Sequence, residues 1–119
     1  MSDPRRGRRS KYAAIATMTA GVRFASRREA ARYLELTYLS RAGMIRDLEL
    51  QPVYPLHAID LTTGEITRVG EYRADFRYRV TATDAIVVED VKGMATLPLA
   101  RWKQKHCRGE YGVIVQEHR

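Results

Sequence analysis

Among its 119 residues the chain has one cysteine, Cys107. An internal disulfide is therefore excluded, and so is a metal cluster built on cysteine ligands. Long apolar runs are missing too: nothing approaches the ~20 apolar residues that a helix needs to span a bilayer. The N-terminal arginines are followed by no apolar core of the signal-peptide kind. These absences set the expectation of a soluble, cytoplasmic protein with no membrane partner. No glycine-rich nucleotide loop, internal repeat or low-complexity segment occurs. His57, His106 and His118 lack a spacing that converges on a metal. Cys107, in a basic stretch with only His106 beside it, fits a buried or bystander thiol better than a nucleophile.

What the chain does have is positive charge and an ordinary apolar share. Hydrophobic residues make up 45%, enough for one core at this length. The net charge of +7 favours polyanionic partners: DNA, RNA or an anionic membrane surface. Residues 1–12 hold Arg5, Arg6, Arg8, Arg9 and Lys11 against Asp3. This stretch is expected to be a flexible basic arm, fit either to track phosphates or simply to solubilise. Residues 13–119 are then the single folded domain.

Ala13–Phe24 suggests a short hairpin turning near Ala20-Gly21. Ser26-Arg27-Arg28-Glu29 has the capping-box pattern and predicts a helix from Arg27 to about Ala42, ended by Gly43. Its apolar stripe reads as Ala30, Tyr33, Leu34, Thr37 and Tyr38, with Arg28, Arg32 and Glu35 on the polar face. Leu48–Ile59 looks extended, and Pro52 and Pro55 suit an edge. The turn Thr62–Glu65 lets Leu56–Leu61 pair with Glu65–Val69. Tyr72–Val80 alternates as one strand, with Tyr72, Ala74, Phe76, Tyr78 and Val80 on one side and Arg73, Asp75, Arg77 and Arg79 on the other. Ala85–Lys92, rich in β-branched residues, reads as central. A helix from Pro98 to about Arg108 and a last strand over Tyr111–Gln116 complete an α/β domain with a mixed sheet.

Asp75 and the run Glu89-Asp90-Val91-Lys92-Gly93 carry the chemistry. If the turn Thr81–Asp84 joins two strands regularly, with Val80 facing Ala85, paired residue numbers sum to 165. Asp75 then faces Asp90, and Arg73 faces Lys92. Facing Cβ atoms stand ~5 Å apart, so two carboxylates can share one ion. Like charges so placed repel, and a divalent metal reverses the sign. Lys92 shares the face of Asp90, while Glu89 points the other way unless a bulge intervenes. Magnesium takes hard oxygen ligands, polarises a phosphoryl group and activates a bound water, and a lysine beside it stabilises developing charge. Asp75 has a plainer alternative, an ion pair with Arg73 or Arg77. Glu29 has one too, as the acid of the capping box. Trp102, among Arg101, Lys103 and Lys105, either stacks on nucleic acid or packs inward while its lysines snorkel, the more common outcome.

Ser26-Arg27-Arg28-Glu29-Ala30, Gln51-Pro52, Ala74-Asp75-Phe76 and Glu89-Asp90-Val91-Lys92-Gly93 follow one another in an order that resembles the PD-(D/E)XK nuclease superfamily. More narrowly, they resemble small phage and prophage proteins related to Holliday junction resolvases. The resemblance spans about Lys11 to Glu117. It implies a restriction-endonuclease-like mixed β-sheet flanked by helices, and a site of Glu29, Asp75, Asp90 and Lys92, with Glu29, Asp75 and Asp90 as metal ligands. Gln51 matches a polar position near such sites, and Glu89 competes with Asp90 as the second acid. Asp90 stands where glutamate is commoner, and Ala74 where the superfamily name has proline. The function implied is a magnesium-dependent DNA endonuclease, with manganese able to substitute, selective for branched DNA and acting as a homodimer in a bacterial host cytoplasm. Arg5, Arg6, Arg8, Arg9, Lys11, Arg73 and Lys103 are the expected nucleic-acid contacts. The alternatives are a non-catalytic basic nucleic-acid-binding protein on a nuclease-like fold and a structural role in a phage assembly.

Overall fold

The computed structural model describes residues 17–19 and 22–119; the predicted basic arm lies outside the described residues. Ten elements follow in chain order among the described residues: β1 (Thr17–Thr19), β2 (Val22–Phe24), α1 (Arg27–Arg41), β3 (Ile45–Leu50), β4 (Val53–Asp60), β5 (Glu65–Arg73), β6 (Phe76–Val80), β7 (Ile86–Val91), α2 (Pro98–Tyr111) and β8 (Val115–His118). The class is α/β with a mixed sheet, ordered β3-β6-β7-β8, in which β8 alone runs parallel to its neighbour. β1 pairs with β2, and β4 with β5, as separate antiparallel ribbons.

The helix starts as its capping residue dictates: Ser26 Oγ accepts a hydrogen bond from Glu29 N–H at 3.1 Å. Its end falls just before Gly43, whose φ of 77° is left-handed. The predicted apolar stripe is displaced, however. The inward residues are Glu29, Ala30 and Leu36, with Tyr33 and Leu39 packed at the margin, whereas Leu34 and Tyr38 are exposed. Arg32, assigned to the polar face, is also drawn inward. A buried carboxylate on β7 needs a cation there, and that need outweighs the apolar count.

Tyr72–Val80 is not one strand. It breaks at Ala74-Asp75, opposite a break at Gln51-Pro52. The pairing nevertheless runs through both breaks. Tyr54 faces Tyr72, and Leu50 faces Phe76, in a register whose numbers sum to 126. Across the gap, Gln51 N–H donates to Asp75 C=O at 2.8 Å and Ala74 N–H to Pro52 C=O at 3.1 Å. Two long strands thus form one bent hairpin, with Pro55 on an edge strand. The bend divides the core. Phe76 and Tyr78 pack with Phe24, Ala30, Leu36 and Ile45 beneath α1. Tyr72 and Ala74 pack with Tyr54, Leu56, Val88 and Cys107 against α2. The alternation predicted for this segment holds residue by residue, but its two halves serve different cores.

The β6–β7 register sums to 165, as the regular turn predicts: Phe76 faces Glu89 and Arg79 faces Ile86. β7 is central. The last two elements are shifted from expectation. α2 runs on to Tyr111 and stops at Gly112, which adopts φ 71°, so the final strand begins at Val115 rather than Tyr111. Gly109 lies within the helix without ending it, because the left-handed conformation is adopted only at Gly112.

Candidate active-site cleft

The bend at Ala74-Asp75 places a carboxylate where the sheet ladder opens. Asp75 N–H donates to Glu89 C=O at 3.0 Å and to Asp90 Oδ1 at 3.1 Å. In return, Val91 N–H donates to Asp75 Oδ2 at 2.7 Å. The Asp75 side chain therefore replaces a backbone acceptor of the departing strand. It pairs with neither Arg73 nor Arg77, which are held by Glu71 and Glu49 respectively.

Asp90 is 4% exposed. Tyr72 Oη–H donates to its Oδ2, Gln104 Nε2 lies 3.3 Å from the same oxygen, and Lys92 Nζ lies 3.5 Å away. Glu29 enters from the first turn of α1. Its carboxyl is buried near Asp75 and Asp90, so the predicted capping acid faces the other acids. Glu29, Asp75, Asp90 and Lys92 line one cleft of about 500 Å³, together with Arg73, Tyr72 and the start of α2 as far as Lys103.

Charge is crowded here. Burial, then the nearby Asp75 and Asp90, push the Glu29 carboxyl up to about 7. Burial also raises Asp75; the Val91 hydrogen bond opposes this, and Asp90 adds to it. Burial further raises the Tyr72 phenol, reinforced by its bond to Asp90, so Tyr72 remains a hydrogen-bond donor.

The other predicted residues fall elsewhere. Glu89 is turned to the α1 side, where Arg32 Nε and Nη2 grip it at 2.9 and 2.7 Å and Tyr78 donates to it. Burial raises its carboxyl, but the bonds from Arg32 and Tyr78 outweigh that and hold it below the usual range. Asp90 therefore lines the cleft, whereas Glu89 belongs to an internal ion pair. Gln51 reaches the site only through its backbone; its side chain is exposed and its φ is 51°. Arg73 and Lys103 both line the cleft, but Arg73 pairs with Val53 in β4 rather than facing Lys92, because β5 leaves the sheet before that point. Cys107 is fully buried. Trp102 does not pack inward; it is 77% exposed.

Two contributors had no signal in the sequence. Tyr72 reads there as an ordinary core residue of an alternating strand. Gln104 reaches Asp90 only because α2 crosses the bend. Sequence reasoning also missed a clasp of His57, His106 and Glu110. Glu110 Oε1 accepts from His57 N–H at 2.8 Å, its Oε2 lies 2.5 Å from His57 Nδ1, and His106 Nε2 lies 3.3 Å from Oε1. The clasp ties α2 to β4.

The donor set of the cleft suits a hard divalent cation. Carboxylates crowded together are relieved by positive charge, and each carboxylate oxygen offers two lone pairs. No group of three or more His, Cys, Asp or Glu side chains among the described residues is arranged to enclose an ion. Magnesium is commonly held by one or two carboxylates plus waters and substrate oxygens, and Asp75 with Asp90 provides that pair.

No helix among the described residues is long and apolar enough to cross a membrane. No curated protein and no solved structure matches the chain. A family model described as protein of unknown function, DUF1064, matches residues 9–117, nearly the whole length, and the chain belongs to that family.

Proposed function

We propose that this chain is a metal-dependent endonuclease that hydrolyses phosphodiester bonds in DNA, on a restriction-endonuclease-like fold of the PD-(D/E)XK kind, with branched DNA as its substrate. One observation carries the reading. Glu29, Asp75, Asp90 and Lys92 come from α1, the β5–β6 bend and the end of β7, and they line a single cleft. Three acids gathered in a protein of net charge +7 are costly unless a cation joins them.

Magnesium or manganese, held by Asp75 and Asp90 with Glu29 close by, would polarise the phosphoryl group and supply an activated water. The protein's own groups do the rest. Tyr72 and Gln104 fix the Asp90 carboxylate by hydrogen bonds, and the Val91 amide fixes Asp75. Lys92 presents its ammonium beside Asp90, where it stabilises charge building on phosphate oxygens. Glu29, with a carboxyl near 7, can hold or release a proton at neutral pH. Arg73 and Lys103 at the cleft give the DNA backbone cationic contacts.

The test is incubation with magnesium and a panel of linear duplex, single-stranded, flap and four-way junction DNA. Symmetric cuts in the junction are expected. Asp75→Ala and Asp90→Ala should each abolish cleavage while DNA binding stays near normal; unchanged cleavage in both variants overturns the site. A two-fold symmetric substrate calls for paired sites, so the active form is a homodimer. A monomer in light scattering at micromolar concentration would count against resolvase-type action.

A further inference from the structure

The first half of α2 borders a second groove, of about 490 Å³, beside the acidic cleft. Its lining includes Leu56, Val69, Leu99 and Trp102, with Lys103 and Lys105 among its polar members. Leu99 and Lys103 line both hollows, so the two adjoin. Trp102, Leu99 and Val69 are each more than half exposed. Gly70, also in the lining, leaves open space where a side chain would stand, although its backbone does not require glycine. Gly70 stands at a β-bulge, where the register with β4 shifts and Val69 is the extra residue, so the bulge and the open space fall together at the groove.

A flat aromatic, apolar surroundings and two ammonium groups match a nucleotide: the ring stacks on the base and the lysines meet the phosphates. An apolar protein segment would use the tryptophan but not the flanking lysines. We propose that the groove at Trp102 takes an unpaired base of the DNA strand whose backbone enters the acidic cleft. This rests on the endonuclease reading of that cleft and narrows its substrate: the strand carries unstacked nucleotides next to the cut, as at a branch or a flap.

Trp102 is the only tryptophan, so its emission reports on the groove directly. The full chain is titrated in EDTA with a homothymidine strand and with an abasic strand of equal length and charge, binding being followed independently by anisotropy of a labelled end. Quenching by the thymidine strand and little by the abasic one is expected. Trp102→Ala should lose about tenfold in affinity for the thymidine strand and almost nothing for the abasic strand, with Trp102→Phe in between. Gly70→Thr, which fills the slot, should behave like Trp102→Ala. Emission that stays constant while the thymidine strand binds, or an equal loss for both strands in Trp102→Ala, overturns the proposal. An emission shift with protein concentration alone would place a second copy in the groove and overturn it too. Asp75→Ala should still be quenched. Quenching without cleavage of any substrate would leave the groove standing and remove the endonuclease reading; cleavage without quenching would do the reverse.

Discussion

At the residue scale, the acids divide by what surrounds them. Glu29 has a folded pKa raised to about 7 from an ordinary 4.5, so its ionisation opposes folding. Its contribution to stability is full below the unfolded value and is lost as pH rises through 7. The melting temperature of the metal-free protein should therefore fall between pH 5 and pH 8. Glu29→Gln should flatten that fall, and magnesium should restore more stability at pH 8 than at pH 5; a profile identical in wild type and Glu29→Gln would show that Glu29 is not the titrating group. Glu89 has the opposite sign, since its carboxyl is held low by Arg32 and Tyr78. Glu89→Ala leaves Arg32 only the more exposed Glu35, 3.6 Å away, and should cost about 3 kcal/mol in denaturant unfolding, with magnesium-dependent cleavage retained wherever the variant is folded. Lys92→Ala should lower turnover more than DNA affinity, measured as kcat against Kd, because the role proposed for it lies in charge that develops during the reaction.

At the element scale, the decisive feature is the bend shared by the two long strands. It sends Tyr72 and Ala74 to the α2 core and Phe76 and Tyr78 to the α1 core, and leaves Asp75 between them. Phe76 is fully buried, and Phe76→Ala should cost about 3–5 kcal/mol. The placement of α2 over β4 depends in part on Glu110. Hydrogen bonds from the backbone and ring of His57 hold its carboxyl below the usual range, so this contact is present above the unfolded pKa and lost as pH falls through the folded one. Glu110→Gln should therefore speed hydrogen exchange at the His57 amide at neutral pH, and acidification should do the same to wild type. Because α2 also supplies Gln104 to Asp90 and Lys103 to the cleft, loosening the clasp should reach the site.

At the scale of the whole molecule, a net charge of +7 coexists with an inward-facing acidic cleft. A polyanion is drawn to the surface by the first and is accommodated at the second only with a cation. DNA affinity should fall steeply with salt through counterion release. Removing residues 1–12, which hold five of the cations, should flatten the slope of log K against log salt while leaving cleavage of bound DNA intact; an unchanged slope would mean that the folded domain supplies all the phosphate contacts.

How much of this was legible in the chain follows from the range of the forces involved. Helix starts, turns and the β6–β7 register are short-range matters. Ser26 caps α1, and the regular turn after Val80 alone sets the pairing that brings Asp75 toward Asp90. Basic charge and the lack of cysteine are likewise properties of composition. The bend at Ala74-Asp75 was not legible, because it depends on the coincident break at Gln51-Pro52 in a distant strand. Nor was the side on which Arg32 lies, which is set by Glu89 across the α1–sheet interface, nor the exposure of Trp102 on α2. The sequence by itself determined which acids exist and which two strands carry them. Only the tertiary structure locked Glu89 into an ion pair with Arg32, brought Glu29 to the other acids and surrounded the set with Tyr72 and Gln104, since burial and charge contact between distant segments exist only once the chain is packed.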